Sequence, residues 1–199
     1  MDALPLIIAS SIGYLLGSIP FGLLIAKASG QGDIRNIGSG NIGATNVLRT
    51  GRKDLAFLTL LTDAGKAGAA ALIVSHFFGF HYGLIAGALA LIGHCFPIWL
   101  GFKGGKGVAT FFGCLLAVAW PIGLIAGAVW LIIAYITRMS AMGGLWAAAS
   151  APVAALFMGR IDITMMTLVL TAVIFIRHGA NIKRILNGTE PKIGESKKS

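Results

Sequence analysis

The chain has 199 residues, of which 56% are hydrophobic and only 12% are charged, and its mean hydropathy is +0.84. Because soluble domains carry about 25% charged residues, this composition excludes an ordinary soluble domain and predicts an integral membrane protein. The formal net charge is +9. The basic residues lie beside apolar segments and are not interleaved with aromatic residues, so they indicate membrane topology and anionic lipid headgroups and argue against a nucleic-acid partner.

The predicted fold class is an all-α integral membrane protein with about seven transmembrane helices. A spanning helix needs about 20 mostly apolar residues. The predicted spans are Leu4–Ala28, Leu55–Ser75, Tyr82–Gly101, Val108–Trp120, Ile122–Thr137, Ala141–Met158 and Ile163–Ile176. The fourth and the seventh are short, which leaves six spans as the alternative. No basic segment precedes the first span, so we expect a retained helix and not a cleaved signal peptide.

The distribution of lysine and arginine predicts how the helices cross the membrane. With the N-terminus outside, fourteen of the sixteen basic residues are cytoplasmic, Arg160 is outside and Lys66 lies within a span. Cytoplasmic loops of membrane proteins carry the excess of lysine and arginine. The sequence therefore predicts an outside N-terminus, a cytoplasmic C-terminus and one membrane domain, 1–199, with a basic tail at about 178–199. All the polar loops then face the cytoplasm: 30–53, 102–107, 138–140 and the tail.

A glycine-rich basic loop follows the third predicted span. Glycine lacks a Cβ, so successive backbone N–H groups can converge on an anion, and lysines add charge for phosphate oxygens. The candidate binding residues are Lys103, Gly104, Gly105, Lys106 and Gly107, with His94 as a structural hydrogen-bonding residue at the base. The loop is not a Walker A motif, because Lys106 is followed by glycine. The alternative is a flexible basic turn between membrane helices.

A second glycine-rich loop, Gly38–Arg49, carries neutral hydrogen-bonding groups and ends in an arginine. Its candidate residues are Ser39, Asn41, Thr45, Asn46 and Arg49. A helix N-terminus preceded by glycines favours anions, and Arg49 can contact phosphate with two parallel hydrogen bonds. The alternative is an interfacial loop with ordinary helix caps and an arginine that extends to the headgroups.

Two further polar groups lie at or within the predicted spans. Asp63 and Lys66 share a helical face inside the second span, either as a structural ion pair or with Lys66 turned towards a phosphate. His178 and Asn181 lie at the end of the last span, where histidine can transfer a proton or cap a helix end. Ser140 lies at another cytoplasmic helix end.

Several kinds of site are not supported by the sequence. The cysteines, Cys95 and Cys114, lie in or beside apolar segments, and the four histidines have no metal-ligand spacing. No G-x-S-x-G motif of a hydrolase is present, and Asp33 and Glu190 show no spacing for paired acid–base work. We therefore expect no disulfide, no metal, no cofactor and no obligate protein partner.

Four segments together resemble the bacterial acyl-phosphate:glycerol-3-phosphate acyltransferase family of small membrane enzymes. They are Gly38–Arg49 (GSGNIGATNVLR), Asp63–Lys66 (DAGK), Gly93–Thr110 (GHCFPIWLGFKGGKGVAT) and Arg177–Arg184 (RHGANIKR), with Glu190 behind the last. They occur in the order typical of the family, and the resemblance covers nearly the whole chain. The poorest match surrounds Ser140.

The resemblance implies transfer of a fatty acyl group from acyl phosphate to the 1-hydroxyl of glycerol 3-phosphate, giving 1-acyl-glycerol 3-phosphate for phospholipid synthesis. It also implies that neither acyl-CoA nor acyl carrier protein is the donor. The expected site lies on the cytoplasmic face of the bacterial inner membrane. The partners are the two substrates and membrane lipid. The expected catalytic residues are Ser39, Arg49, His178 and Asn181. The expected substrate-binding residues are Asn41, Thr45, Asn46, Lys66, Lys103, Gly104, Gly105, Lys106, Gly107 and Ser140, supported by Asp63, His94 and Glu190.

The reaction itself needs no covalent enzyme intermediate, because acyl phosphate already has a good leaving group. Direct attack by the glycerol hydroxyl needs positioning, charge neutralisation and a proton acceptor, either His178 or a substrate phosphate. A phosphate or organophosphate transporter is the alternative function, but it is expected to show inverted repeats or a site near the midplane. An alcohol phosphatidyltransferase would need an aspartate-rich metal motif, and a structural membrane subunit would not need four polar motifs on one face.

Overall fold

The computed structural model describes residues 2–193, and this part of the chain contains α-helices and short 3-10 turns but no β-strand. The predicted all-α class is thus confirmed. The helices are α1 (Ala3–Ser18), α2 (Phe21–Ala28), α3 (Ala44–Val47), α4 (Lys53–Phe78), α5 (Phe80–Cys95), α6 (Val108–Val118), α7 (Trp120–Thr137), α8 (Ser140–Phe157), α9 (Ile161–Arg177) and α10 (Gly179–Leu186). The chain forms two compact units, Met1–Val118 and Ala119–Ser199. The single membrane domain remains a prediction.

Within residues 2–193, five helical segments are long and apolar enough to cross a membrane. They are Ala3–Ala28, Lys53–Phe78, Phe80–Leu100, Trp120–Thr137 and Ser140–Phe157. The bent pair α9 and α10, with an angle of 64° between the helices, passes the same test when taken together, and α6 is a shorter apolar helix. The two short predicted spans correspond to α6 and α9. The count of seven and the orientation remain predictions.

In the first unit, α1 packs closely on α5 through small residues. A Cβ added at Gly13 would overlap the backbone of Ala86, and one added at Gly17 would overlap the backbone of Ala90. Hydrophobicity gives little drive for helix association in lipid, so close contact between small residues supplies van der Waals packing instead. The Tyr14 hydroxyl also donates to the Phe96 carbonyl at 2.8 Å, which ties α1 to the end of α5.

The first predicted span is broken into α1 and α2 at Ile19 and Pro20. Proline has no N–H group and cannot continue the hydrogen bonding of α1. The Ile19 N–H group donates to the Leu16 carbonyl at 3.3 Å, which closes the last turn. At the break, the Ile19 carbonyl accepts a hydrogen bond from the Phe21 N–H group at 3.1 Å and a second one from a side chain of another helix.

In the second unit, α7, α8 and α9 pack in chain order. Between α8 and α9, the Thr171 hydroxyl donates to the Ala148 carbonyl at 2.7 Å. The turn between α7 and α8 contains Arg138 in a left-handed conformation with φ +57°. The tail after α10 returns to this turn, because the Ile193 N–H group donates to the Arg138 carbonyl at 2.6 Å.

Candidate active site

The loop before α3 is held together by the buried amide of Asn46. Its Oδ1 accepts hydrogen bonds from the Ser39 N–H group at 3.1 Å and from the Ser39 hydroxyl at 3.3 Å. Its Nδ2 donates to the Ile34 carbonyl at 2.7 Å. Asn46 therefore organises the loop internally, and the exposed Ser39 hydroxyl is oriented by it.

Arg49 lies across the same loop. Gly38 has φ +57°, and a Cβ there would be 2.6 Å from Arg49 Cδ and 2.7 Å from Asn46 Oδ1. The position is therefore restricted to glycine both by its backbone conformation and by the arginine beside it. Ser39, Arg49 and Thr45 are exposed, and the buried Asn41 Oδ1 accepts no hydrogen bond from residues 2–193.

The two arginines around this loop differ in their electrostatic environment. Arg35 forms an ion pair with Asp33, with Nη2 and Oδ2 2.5 Å apart, and its guanidinium holds the pKa of that carboxyl below the usual range. No carboxylate of the described chain forms an ion pair with Arg49. Arg49 therefore keeps its charge available for an anion, whereas the charge of Arg35 is balanced locally.

The glycine loop differs in one respect from the predicted anion cradle. The Gly104 N–H group donates to the Cys95 carbonyl at 3.2 Å, and the Gly105 N–H group donates to the His94 carbonyl at 3.0 Å. These two N–H groups are directed at the end of α5. A Cβ at Gly104 would overlap the His94 carbonyl, and a Cβ at Gly105 would overlap the His94 ring. Glycine is required at both positions because the loop packs tightly on α5.

The remaining residues of this loop differ in their exposure. Lys103 is exposed, Lys106 is half-buried, and Gly107 is buried with φ +82° directly before α6. Ammonium groups suit phosphate oxygens, and phosphate binding by Lys103 and Lys106 stays a prediction, as does binding at the loop glycines.

In this structure the Lys66 ammonium is engaged within the first unit, which favours the structural ion pair over the predicted phosphate contact. Its side chain is 2% exposed, and its Nζ lies 2.8 Å from Asp63 Oδ1. The same Nζ donates to the Ile19 carbonyl at 2.8 Å and lies 3.0 Å from His94 Nδ1. An ammonium group has three N–H donors. Two of them are used in the hydrogen bonds to Ile19 and His94, and the charge is balanced by the ion pair with Asp63.

His178 lies in the second unit, at the bend between α9 and α10. The residue is 2% exposed, and its Nδ1 is 2.8 Å from the Ile174 carbonyl oxygen. A carbonyl oxygen can only accept a hydrogen bond, so Nδ1 carries a proton. In the neutral imidazole, Nε2 then holds the lone pair that can accept a proton or a hydrogen bond.

Asn181 and Glu190 form a link between α10 and the tail. Asn181 Nδ2 donates to Glu190 Oε1 at 2.6 Å, and Arg184 Nε donates to Glu190 Oε2 at 2.8 Å. The buried Asn181 Oδ1 accepts no hydrogen bond from residues 2–193. Glu190 thus joins Asn181 and Arg184. Ser140 begins α8 and lies beside the turn whose Arg138 carbonyl accepts the Ile193 N–H group.

Each unit brings together only some of the predicted site residues. The first unit joins Ser39, Asn46 and Arg49 in one cluster, and Asp63, Lys66 and His94 in another. The second unit joins Asn181 to Glu190. The sequence analysis missed two participants, the Ile19 carbonyl and Arg184. Pro20 signals the first, because a proline within an apolar span predicts a helix break and a freed carbonyl.

Comparison with known proteins establishes the family. The family model described as "Glycerol-3-phosphate acyltransferase" matches residues 7–188. The chain belongs to the glycerol-3-phosphate acyltransferase family. A glycerol-3-phosphate acyltransferase of Maricaulis maris (strain MCS10) is 60% identical, with 95% of this chain and 88% of the relative covered. One of Jannaschia sp. (strain CCS1) is 53% identical, with 98% and 96% covered.

Two solved structures are similar to this acyltransferase. Both are crystal structures of PlsY (YgiH), an integral membrane glycerol 3-phosphate acyltransferase. The glycerol 3-phosphate form has a TM-score of 0.90 and 38% identity, with 95% of this chain and 96% of that chain covered. The lysophosphatidic acid form has a TM-score of 0.87 and 37% identity, with 95% of each chain covered. The resemblance predicted from the four motifs is confirmed, and so is a multi-pass membrane protein.

Proposed function

We propose that this acyltransferase moves a fatty acyl group from acyl phosphate to the 1-hydroxyl of glycerol 3-phosphate, giving 1-acyl-glycerol 3-phosphate for phospholipid synthesis. The observation that carries the proposal is the family match over residues 7–188, which includes all four motifs. The similar PlsY structures are named for their glycerol 3-phosphate and lysophosphatidic acid forms, which correspond to the proposed acceptor and product.

The proposed chemistry is a direct acyl transfer between two phosphorylated molecules. The hydroxyl oxygen of glycerol 3-phosphate attacks the acyl carbonyl carbon and forms the new ester bond. The bond between that carbon and the phosphate oxygen breaks, and inorganic phosphate leaves. The enzyme must hold both reactants and neutralise their negative charge, which requires cationic side chains.

The cationic groups that we assign to phosphate are Arg49, Lys103 and Lys106. Arg49 forms no ion pair with a described carboxylate and lies over a loop whose glycine permits a close approach. The Ser39 hydroxyl next to it is oriented by Asn46 and is proposed to position a reactant. Asn41, Thr45 and Gly107 remain proposed substrate contacts.

The proton released by the hydroxyl is proposed to pass to Nε2 of His178. The Ile174 carbonyl fixes the other ring nitrogen as a donor, which orients the ring and leaves Nε2 as the acceptor. Asn181 is proposed to position a reactant through its Oδ1, and Ser140 remains a proposed contact. A phosphate oxygen of a substrate is the alternative acceptor.

The proposed location is the bacterial inner membrane, with the site facing the cytoplasm. The support is the excess of basic residues in the loops 30–53 and 102–107 and in the tail. Acyl phosphate has an apolar tail that partitions into the bilayer and a charged head that stays at its surface. A cationic site at the cytoplasmic surface would receive both parts.

The function is tested with the purified enzyme in lipid nanodiscs and radiolabelled glycerol 3-phosphate. We expect 1-acyl-glycerol 3-phosphate to form with acyl phosphate, and we expect activity to persist after treatment with a metal chelator. Activity with acyl-CoA alone would contradict the proposed donor. Uptake of glycerol 3-phosphate into sealed vesicles without acylation would favour the transporter instead.

A further inference from the structure

Three buried polar side chains of the first unit lie beside the glycine loop but are not among the proposed substrate contacts. Taken as whole residues, Asp63, Lys66 and His94 are 1%, 6% and 4% exposed. A charged side chain inside a membrane span is costly and usually marks a function or an internal pair. Replacing a buried ion pair by apolar residues is often neutral or stabilising, so stability alone does not account for these residues.

Lys66 joins three separate segments of the chain through one ammonium group. Its Nζ lies 2.8 Å from Asp63 Oδ1 on the preceding turn of α4. It donates to the Ile19 carbonyl at the break between α1 and α2, also at 2.8 Å. It lies 3.0 Å from Nδ1 of His94 near the end of α5. The position of the His94 ring is therefore coupled to α4 and to the helix break.

His94 in turn supports the glycine loop. Its carbonyl accepts the hydrogen bond of the Gly105 N–H group at 3.0 Å, and its ring lies so close that a Cβ on Gly105 would overlap Nε2. Gly105 stands between Gly104 and Lys106, so the ring lies directly under the part of the loop that carries the lysines. A displaced ring would move Lys106 with Gly105.

We propose that Asp63, Lys66 and His94 form a positioning triad that fixes the loop 102–107 on α5. Asp63 balances the charge of Lys66, Lys66 holds the His94 ring, and the ring supports Gly105. The triad does not touch substrate and acts through Lys103 and Lys106. Its effect on catalysis rests on the proposed function, whereas its effect on the loop does not.

The test combines limited trypsin digestion with kinetics on the purified enzyme in nanodiscs. Lys103 and Lys106 are trypsin sites within the loop, so their cleavage rate measures how firmly the loop is held. The double variant Asp63→Asn/Lys66→Met removes both charges together and leaves no unpaired buried charge. His94→Phe keeps an aromatic ring but removes the nitrogen beside Lys66. His94→Asn keeps a hydrogen-bond acceptor but removes the ring.

We expect all three variants to be cleaved faster at the loop, with the thermal unfolding midpoint nearly unchanged. We also expect kcat/KM for glycerol 3-phosphate to fall by up to about 10²-fold, because a misplacement of about 1 Å costs that much. The control is Asp54→Asn, which removes an exposed carboxylate of the same helix that pairs with Arg52. It should change neither the loop cleavage nor the kinetics.

Three results would overturn the proposal. Unchanged loop cleavage and kinetics in the double variant would mean that the triad only fills space. Lost activity with unchanged cleavage would mean that Lys66 or His94 acts on the substrate directly. Failure of all three variants to accumulate would mean that the triad supports the whole fold and not the loop. If the wild-type enzyme transfers no acyl group, the proposed function fails, but the cleavage rates still decide the role of the triad.

Discussion

At the scale of single residues, His94 and His178 are both buried but face opposite kinds of partner. His94 Nδ1 lies 3.5 Å from Asp63 Oδ1, with no hydrogen bond between them, and only 3.0 Å from the Lys66 ammonium, which can only donate, so we assign this nitrogen as the acceptor. His178 Nδ1 faces the Ile174 carbonyl, which can only accept, so this nitrogen donates. In the neutral ring, the acceptor nitrogen of His94 is thus used within the fold. The acceptor nitrogen of His178 is Nε2, the atom proposed to take the proton.

Replacement of His178 tests that assignment. We expect His178→Ala to lower kcat by about 10²–10⁴-fold while the protein stays folded, because this is the usual range for general acid–base catalysis. His178→Gln keeps a hydrogen bond but cannot take a proton near neutral pH, so it should be similarly inactive if His178 is the acceptor. Single-turnover kinetics and thermal unfolding measure the two effects separately.

The matched control for that prediction is His81→Ala, which removes an exposed histidine near the start of α5. It should leave kcat unchanged. Substantial activity of His178→Gln would favour orientation by His178 and proton transfer to a substrate phosphate. Wild-type kcat in His178→Ala would exclude the residue from the reaction.

Arg49 and Arg35 allow a second matched comparison, because they lie close in sequence but only Arg35 is paired with a carboxylate. Arg49→Ala should lower kcat/KM for glycerol 3-phosphate by about tenfold or more, since hydrogen bonds to charged groups contribute about 1.5–3 kcal/mol. Arg49→Lys keeps the charge but loses the planar fork, so its effect should be intermediate. Arg35→Gln removes half of an exposed ion pair and should have little effect. Equal effects of Arg49→Ala and Arg35→Gln would contradict the assignment.

At the scale of helices, the sequence predicted the ends of α7 and α8 to within two residues. The predicted spans Ile122–Thr137 and Ala141–Met158 correspond to Trp120–Thr137 and Ser140–Phe157. Apolar length and local breakers determine these ends, and both can be recognised in a single sequence. The partners of Lys66 could not be predicted in the same way, because the Ile19 carbonyl is 47 positions away. Nothing local indicates which distant carbonyl an ammonium group will meet.

In the glycine loop too, the sequence predicted which residues occur but not which atoms they contact. Its sequence correctly placed lysines and glycines at the end of α5. However, the physical reason for glycine at Gly104 and Gly105 is contact with the backbone and ring of His94, and not an open row of N–H groups. This changes what a substitution there should do.

We therefore expect Gly105→Ala to destabilise the folded enzyme. Its Cβ would overlap the His94 ring, and overpacking of this kind costs about 1–3 kcal/mol. Gly127→Ala on α7 is the control, because a Cβ there meets nothing within 4 Å. Thermal unfolding in nanodiscs should show a lower midpoint for the first variant only. An unchanged midpoint with a raised KM for one substrate would instead support direct binding by the Gly105 backbone.

At the scale of the whole molecule, the number of spans depends on two helices. Helix α6 is an 11-residue helix, and α9 has 17 residues before the 64° bend to α10. An outside N-terminus and a cytoplasmic C-terminus require an odd number of crossings. Seven crossings need both α6 and α9 to span. If only one of them spans, either the basic tail or the loop with Lys103 and Lys106 lies on the outside, against the distribution of charge.

Reporter fusions truncated around these two helices test the topology. We expect a reporter to be cytoplasmic after Gly107 and exported after Ala119 if α6 crosses, because these positions lie on its two sides. Likewise, a reporter after Gly159 should be exported, and one after Leu186 should be cytoplasmic, if α9 crosses. The junction between α4 and α5 at Gly79 serves as the control, since it joins two long helices and should be exported in either case. A reporter that stays cytoplasmic after both Gly107 and Ala119 would show that α6 does not span. The excess of lysine and arginine would then no longer explain the orientation of the helices that follow.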